Sequence, residues 1–294
     1  MILGLPYMGS KNKIAPIIFK IIDEREKNKK LFDMFCGGGA IAYYFSLKGW
    51  QVLANDIDTA LINFHKEIIK GIPQNIKDKF FTREEFVEGI KKDDWLCGFL
   101  KCFWSFGNNK RSYIYGKNIE NDKHRMHDAV FADKPDAAKE LLKEFQTEIS
   151  LQALFNWQKL KLLHRFRLLA RCFGSRKETQ HLERLQHLQH LERLERLERK
   201  DVEFSNKDFK DVLVEDRVVY CDPPYINTEG YGVKFNHDKF YDYVLSLKNP
   251  VYVSEFSMPD KYKKFFEEKN IFLRRNGATA LVNNKMEKLF IKKQ

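Results

Sequence analysis

The chain has little cysteine: five among 294 residues, Cys36, Cys97, Cys102, Cys172 and Cys221, an odd number with no Cys-x-x-Cys pair. That excludes a disulfide framework and a cysteine zinc site, and it suits a reducing cytoplasm. No apolar run approaches the ~18 residues needed to cross a bilayer, and no signal peptide precedes the first motif, so the expectation is a soluble, cytoplasmic protein without a membrane partner. Acidic residues are outnumbered, 41 Asp and Glu against 52 Lys and Arg, a formal charge of +11. With a sequence pI of about 9.2, this implies a polyanionic partner, DNA or RNA, because cations facing phosphates release counterions. A hydrophobic fraction of 43% excludes a disordered chain, and the length allows about two domains.

What the chain does have is Asp222-Pro223-Pro224-Tyr225, directly after the apolar run Val218 to Cys221. An aromatic amine such as the amino group of adenine has its lone pair delocalised into the ring. Asp222 and the carbonyl of Pro223 can each accept one amino proton and favour a tetrahedral, nucleophilic nitrogen, with Pro223 and Pro224 fixing φ and holding the acceptors rigid. Tyr225 then stacks on the base, which must leave the duplex to be reached. Read alone, the tetrapeptide is equally a strand ending in a stiff turn.

Near the N-terminus, Leu31 to Phe35 reads as a buried strand, Cys36-Gly37-Gly38-Gly39 as a turn, and Ala40 to Leu47 as an apolar helix. Glycines permit close backbone approach, and an open helix N-terminus offers amides to a ligand. A second strand, Gln51 to Asn55, ends in Asp56, whose carboxylate is placed for two ribose hydroxyls. Gly37, Gly39 and Ala42 also satisfy a dinucleotide fingerprint, so an NAD site is weighed here. Asp33 inside the strand argues against it, since it repels a pyrophosphate and welcomes the ammonium of a methionine moiety. S-adenosyl-L-methionine fits better.

Four segments in order, Pro6 to Lys11, Phe32 to Gly39, Asn55-Asp56 and Asp222 to Tyr225, resemble the Dam-type (phage-like) adenine-N6 DNA methyltransferase family. The resemblance implies an α/β, Rossmann-like seven-stranded sheet with helices on both faces and a helical target-recognition insertion. It implies S-adenosyl-L-methionine as cofactor and double-stranded DNA as partner. Tyr7 and Lys11 would hold the methionine end, with Asp33, Phe35, Gly37 and Gly39 around the turn, Asp56 at the ribose, Asp208 and Phe209 at the cofactor's adenine, and Asp222 shared with the flipped base. Ser254-Glu255 and Glu287 to Ile291 resemble later strands of the same domain. A cognate restriction endonuclease can accompany such an enzyme without stable contact, and a monomer suffices. Cytosine-N4 methylation, glutamine or RNA methylation, and a basic non-catalytic nucleic-acid-binding module are the alternatives.

The expected organisation is a catalytic N-terminal part over 1–72, a mainly helical insertion over 73–200 and a catalytic C-terminal part over 201–294. Apolar periodicity predicts helix in Thr82 to Trp104, Pro135 to Leu154 and Phe155 to Phe173. Trp104 to Tyr113 mixes aromatics, amides and cations around a glycine, which points to Asn108, Asn109, Lys110 and Arg111 for DNA contact. A polar turn between helices is the bland alternative. His124, His127 and Asp128 carry metal-ligand chemistry at helical spacing, but the reaction needs no metal and none is expected. Residues 157–200 hold twelve Lys or Arg against five Glu, and a Leu-x-x triplet runs through 182–199. A three-residue period smears leucines around a helix, so the repeat is expected to be a basic helical spacer, and shortening it by two triplets is expected to leave cofactor binding intact.

Overall fold

Short strands of β-branched and aromatic residues alternate with helices as a parallel sheet requires. The structure, a computed structural model, describes residues 3–131, 135–144, 157, 160, 165, 191, 195, 201–225, 235–274 and 285–293. Strands β1 (Lys30–Asp33), β2 (Gln51–Asn55), β3 (Val202–Ser205), β4 (Val218–Cys221) and β5 (Val251–Glu255) are mutually parallel. The last strand, β7 (Lys285–Lys292), inserts antiparallel between β5 and β6 (Phe266–Arg274), giving a seven-stranded sheet of order β3-β2-β1-β4-β5-β7-β6. Every residue of β4 and β5 is buried, which explains why Val-Val-Tyr-Cys and Val-Tyr-Val lack the alternation of a one-sided strand.

Parity divides the side chains between two cores. Leu31, Val52, Val218, Tyr220 and Tyr252 join α1 (Ala15–Arg25) and α2 (Ala40–Leu47) in one. Phe32, Val219, Cys221, Val251 and Val253 join α9 (His237–Ser246) and Tyr262 of α10 (Asp260–Lys263) in the other. The sheet is therefore covered on both faces. Pro16, in the first turn of α1, costs the helix no hydrogen bond there.

The sequence order leaves β1 for β2 on one side, while β4 lies on the other, so the strand order reverses between β1 and β4. A crevice at the carboxyl ends follows from that reversal, and open α/β sheets bind ligands there. Register fixes what meets at this edge: Asp33 pairs with Ala54 on one side and Tyr220 on the other. The glycine turn, Asp56 and Asp222 therefore all leave the sheet from one edge. The helix over Ala40–Leu47 and the strands over Gln51–Asn55 and Val218–Cys221 have the expected bounds, while the first strand ends at Asp33, two residues before Phe35.

The chain divides into two compact units, Met1–Lys66 with Leu197–Gln294, and Glu67–Arg196. Helix α3 (Thr59–Lys70) runs across that boundary. The second unit contains α4 (Gln74–Lys77), α5 (Arg83–Gly89), α6 (Trp95–Phe103), α7 (Glu120–Phe131) and α8 (Asp136–Glu144). The apolar stretch from Thr82 to Trp104 forms two helices because it contains two starts. Thr82 and Glu85 form a reciprocal capping box at α5, and Asp94 accepts from the Cys97 amide at α6. Phe80, Phe86, Phe99, Phe103, Trp104 and Tyr115 are buried in this unit.

The helix expected over Pro135 to Leu154 is described as far as Glu144, and the one over Phe155 to Phe173 lies outside the described residues except at Trp157, Leu160 and Arg165. Arg165 is buried, donating to the carbonyls of Trp157 at 2.9 Å and Val130 at 3.0 Å, so this cation ties two backbone segments of the unit to each other. Of the Leu-x-x repeat, Leu191 and Glu195 are described. Leu191 is fully buried, and Glu195 accepts the Ile72 amide at 2.8 Å and pairs with Lys77 at 3.0 Å. At these two positions the repeat is packed and ion-paired within its unit. No helix among the described residues is long and apolar enough to cross a membrane.

Trp50, fully buried between α2 and β2, stands edge-on to Phe19 and Phe45 and donates its indole N–H to Asp23 at 3.0 Å. Trp50→Ala removes both the packing and the donor, and urea unfolding is expected to show a loss of about 3 to 5 kcal/mol.

Candidate active site

Three glycines follow β1 because the turn is crowded by the protein itself. Gly37 and Gly39 have φ of 47° and 75°, a region that costs other residues strain. A Cβ on Gly37 would come within 2.9 Å of the Tyr7 ring, and one on Gly39 within 2.9 Å of Tyr43 and 3.0 Å of His65. Tyr7 thus lies over the turn on one side, and Tyr43 with His65 support it on the other. His65 is fully buried, stacks on Phe204 at 4.9 Å, and donates from Nε2 to the Gly37 carbonyl at 2.8 Å. Its Nδ1 lies 2.6 Å from the Tyr43 hydroxyl. A carbonyl can only accept, so the proton belongs on Nε2.

The turn's amides are less open than the sequence suggests. Gly37 N–H donates to Asp56 Oδ2 at 2.9 Å, and Gly39 N–H to the Cys36 carbonyl at 2.7 Å. Asp56 Oδ1 accepts the Asp58 amide at 3.0 Å. Asp56 therefore closes the turn with both of its oxygens.

Asp33 lies at the end of β1, 1% exposed, and neither carboxylate oxygen makes a hydrogen bond. Its pKa is held well above the ordinary carboxylate value by burial first, then by the charges of Asp222 and Asp56. The Ala42 amide at the start of α2 opposes this from beyond hydrogen-bonding geometry, and Lys11 opposes it more weakly still.

Asp222 follows β4. Its Oδ2 pairs with Lys11 Nζ at 2.8 Å, while Oδ1 is shielded from solvent and makes no hydrogen bond. Burial raises its pKa, Lys11 pulls it back, and Glu287 adds to the rise. Lys11 is 8% exposed and distributes its three protons among Asp222, the Gly9 carbonyl at 3.1 Å and Glu287 Oε1 at 3.3 Å. Burial works against the ammonium, but the two carboxylates outweigh it and raise its pKa. Lys11 also stands over the Tyr225 ring, 4.8 Å from its centroid. The lysine expected at the methionine end has Asp222 as its nearest carboxylate.

Tyr225 donates its hydroxyl to Glu287 Oε1 at 2.5 Å and meets Phe256 edge-on at 4.8 Å. The turn between Asp222 and Tyr225 is tied down by His237, whose Nε2 donates to the Pro224 carbonyl at 2.8 Å. Pro223 is buried beneath it. Phe35 packs against Phe209 at 5.5 Å, Phe235 at 5.7 Å and Phe240 at 5.7 Å, so the turn after β1 and the Asp208-Phe209 segment form one aromatic wall. Asp208 accepts the Lys210 amide at 3.1 Å and starts the short turn that carries Phe209.

Glu287, His65 and His237 were missed as site residues by sequence reasoning. Glu287 had a legible signal, an acid two residues before buried Leu289 and four before Ile291 on one strand face. The two histidines had none, since their roles depend on carbonyls distant in sequence.

In the second unit, Asn108, Asn109, Lys110 and Arg111 form a tight loop closed by the Ser105–Tyr113 bridge. Asn109 Oδ1 accepts the amides of Arg111 and Ser112, both at 2.9 Å, so that side chain builds the loop. Asn108 and Lys110 have φ of 57° and 63°, and Phe106 and Arg111 are exposed. His124 stacks on Phe80 at 4.3 Å and lies 3.7 Å from Asp128, whereas His127 turns inward to the Asp78 carbonyl at 2.7 Å. Among the described residues no cluster of three or more His, Cys, Asp or Glu could hold a metal.

A seven-stranded sheet with its last strand antiparallel, and carboxylates gathered where the strand order reverses, defines the class of S-adenosylmethionine-dependent methyltransferase folds. Within that class the chain belongs to the D12 class N6 adenine-specific DNA methyltransferase family, whose model matches residues 7–248. It is an adenine-N6 DNA methyltransferase. That membership sets aside the cytosine-N4 and non-catalytic alternatives. Comparison with curated proteins finds no match.

Because burial raises the Asp33 pKa, this residue's favourable contribution to stability is complete below the ordinary carboxylate value of 3.8 and is lost as pH rises through the folded-state value. Asp33→Asn removes that loss. Melting of the ligand-free protein is expected to show the variant's advantage growing with pH above about 4.

Proposed function

We propose that the chain takes its methyl group from S-adenosylmethionine and delivers it to an adenine of double-stranded DNA flipped against Asp222 to Tyr225. The observation that carries this reading is a pair of uncommitted buried acceptors, the Asp33 carboxylate and Asp222 Oδ1, at the ends of adjacent strands. The cofactor fits the residues present. Asp222 and Glu287 share one buried ammonium, Lys11, and Asp33 lies within reach of the charges of Asp222 and Asp56; such a gathering of carboxylates favours a cation and repels a pyrophosphate. It is an acidic pocket in a chain of net charge +11, so a small cationic ligand and a polyanion are recognised by different surfaces.

Asp33 would hold the ammonium of the methionine moiety, with Tyr7 over the glycine turn of Gly37 and Gly39 and Lys11 beside it. Asp56 would take the ribose hydroxyls. Phe35, Asp208 and Phe209 would line the adenine of the cofactor. When bound, the cofactor supplies an electrophilic methyl on its sulfonium.

The chain's own residues prepare the acceptor nitrogen. Lys11 fixes one oxygen of Asp222 and leaves Oδ1 to take an amino proton. Pro223 offers its carbonyl as the second acceptor, and the His237 contact to Pro224 keeps the turn from rotating. Two acceptors on one amino group draw its lone pair out of the ring before any methyl moves. Tyr225 covers the base. Asn108, Asn109, Lys110 and Arg111 would meet the DNA, with Arg111 exposed for phosphate or base and Asn109 shaping the loop.

Asp222→Asn keeps the shape and loses the charge. Turnover on unmethylated plasmid DNA is expected to fall by about 10² to 10³, with affinity for S-adenosylmethionine changing only a few-fold. Equal losses in both would remove Asp222 from the chemistry. Single-molecule sequencing of DNA from a methylation-free host expressing the wild type should show N6-methyladenine in one short motif, absent with the variant.

A further inference from the structure

Glu287 stands on β7 in a run otherwise made for the core: Leu289, Phe290 and Ile291 are all buried. At 7% exposure it is itself buried, and a carboxylate in that position is costly unless it is paired and hydrogen-bonded. It is both. A single oxygen, Oε1, accepts the Tyr225 hydroxyl at 2.5 Å and the Lys11 ammonium at 3.3 Å. Those two groups lie far apart in the sequence, and both touch the reacting region: Lys11 holds Asp222 at 2.8 Å and stands 4.8 Å above the Tyr225 ring.

We propose that Glu287 is a positioning residue for methyl transfer, fixing the Tyr225 ring and the Lys11 ammonium together so that Asp222 and the aromatic face keep one mutual geometry. This rests on Asp222 and Tyr225 being the residues that hold the target adenine. Without Glu287 the tyrosine hydroxyl loses this acceptor, and Lys11 is left with Asp222 and the Gly9 carbonyl. The ammonium then draws closer to Asp222 and weakens it as an acceptor, while the ring is freer to turn about its side-chain bonds. Both changes act on the orientation of the adenine amine. Neither touches Asp33, Asp56 or the Phe35 wall, so the loss falls more heavily on turnover than on cofactor affinity, which the change at Lys11 and the lost carboxylate lower to a smaller degree.

The test compares E287A, E287Q, Y225F and the double variant E287A/Y225F for turnover on unmethylated plasmid DNA, S-adenosylmethionine affinity by calorimetry, and melting temperature. E287A is expected to lower kcat by about 10- to 100-fold, the scale of a misplacement near 1 Å, with cofactor affinity falling clearly less than kcat. E287Q keeps an oxygen for the Tyr225 hydroxyl and should recover the larger part of that loss. Y225F cuts the same bond from the other end and should fall in the same direction. The double variant should be little worse than E287A, because the two act as one unit.

Unchanged kcat in E287A, a fully multiplicative double variant, or kcat and cofactor affinity falling together with the melting temperature would each overturn the proposal. If E287A does not fold, E287Q and Y225F decide by the same criteria, since each keeps the shape of the side chain it replaces. An inactive Asp222→Asn beside a fully active E287A rejects this role for Glu287 alone. An active Asp222→Asn rejects the reading of the site beneath it.

Discussion

The ammonium of Lys11 is the contact on which the rest of the site depends. It is buried, its three protons go to Asp222, Glu287 and the Gly9 carbonyl, and its position fixes which oxygen of Asp222 stays uncommitted. One cation among several carboxylates leaves a pocket short of positive charge. Such a shortage favours a cationic ligand over an anionic one. The acidic pocket stands in contrast to the chain's formal charge of +11.

The backbone imposes a second order on the same place. Parallel strands bring the residues after β1, β2 and β4 to one edge, and the reversal of strand order between β1 and β4 opens the crevice there. The turns at that edge are then stiffened by contacts that no single segment can make alone. Asp56 holds the Gly37 amide, His65 the Gly37 carbonyl, and His237 the Pro224 carbonyl. Each is a side chain fastening a backbone group of another loop. Acceptors held in this way need little reorganisation when the substrate arrives, which is the basis of electrostatic preorganisation.

Much of this was legible from residues alone, for identifiable reasons. Ala40–Leu47, Gln51–Asn55 and Val218–Cys221 are delimited by glycines, an acid or prolines, so their bounds could be read directly. Asp222 and Tyr225 were legible because an acid before two prolines and an aromatic is chemistry compressed into four positions. Thr82 to Trp104 was harder, since its apolar period continues across two helix starts that only the capping contacts of Thr82 and Asp94 reveal. The glycine turn was half legible: the sequence gives its flexibility, but not that Tyr7, Tyr43 and His65 crowd it from both sides.

The sequence by itself determined the class of chemistry and the alternation of strands and helices, because each depends on neighbours along the chain. Tertiary structure alone decided the partners of the charged groups. Lys11, the Asp222 to Tyr225 segment and Glu287 lie far apart in the sequence and meet through strand order and register. The strength of a buried charge depends on what surrounds it in three dimensions, and no local pattern carries that information.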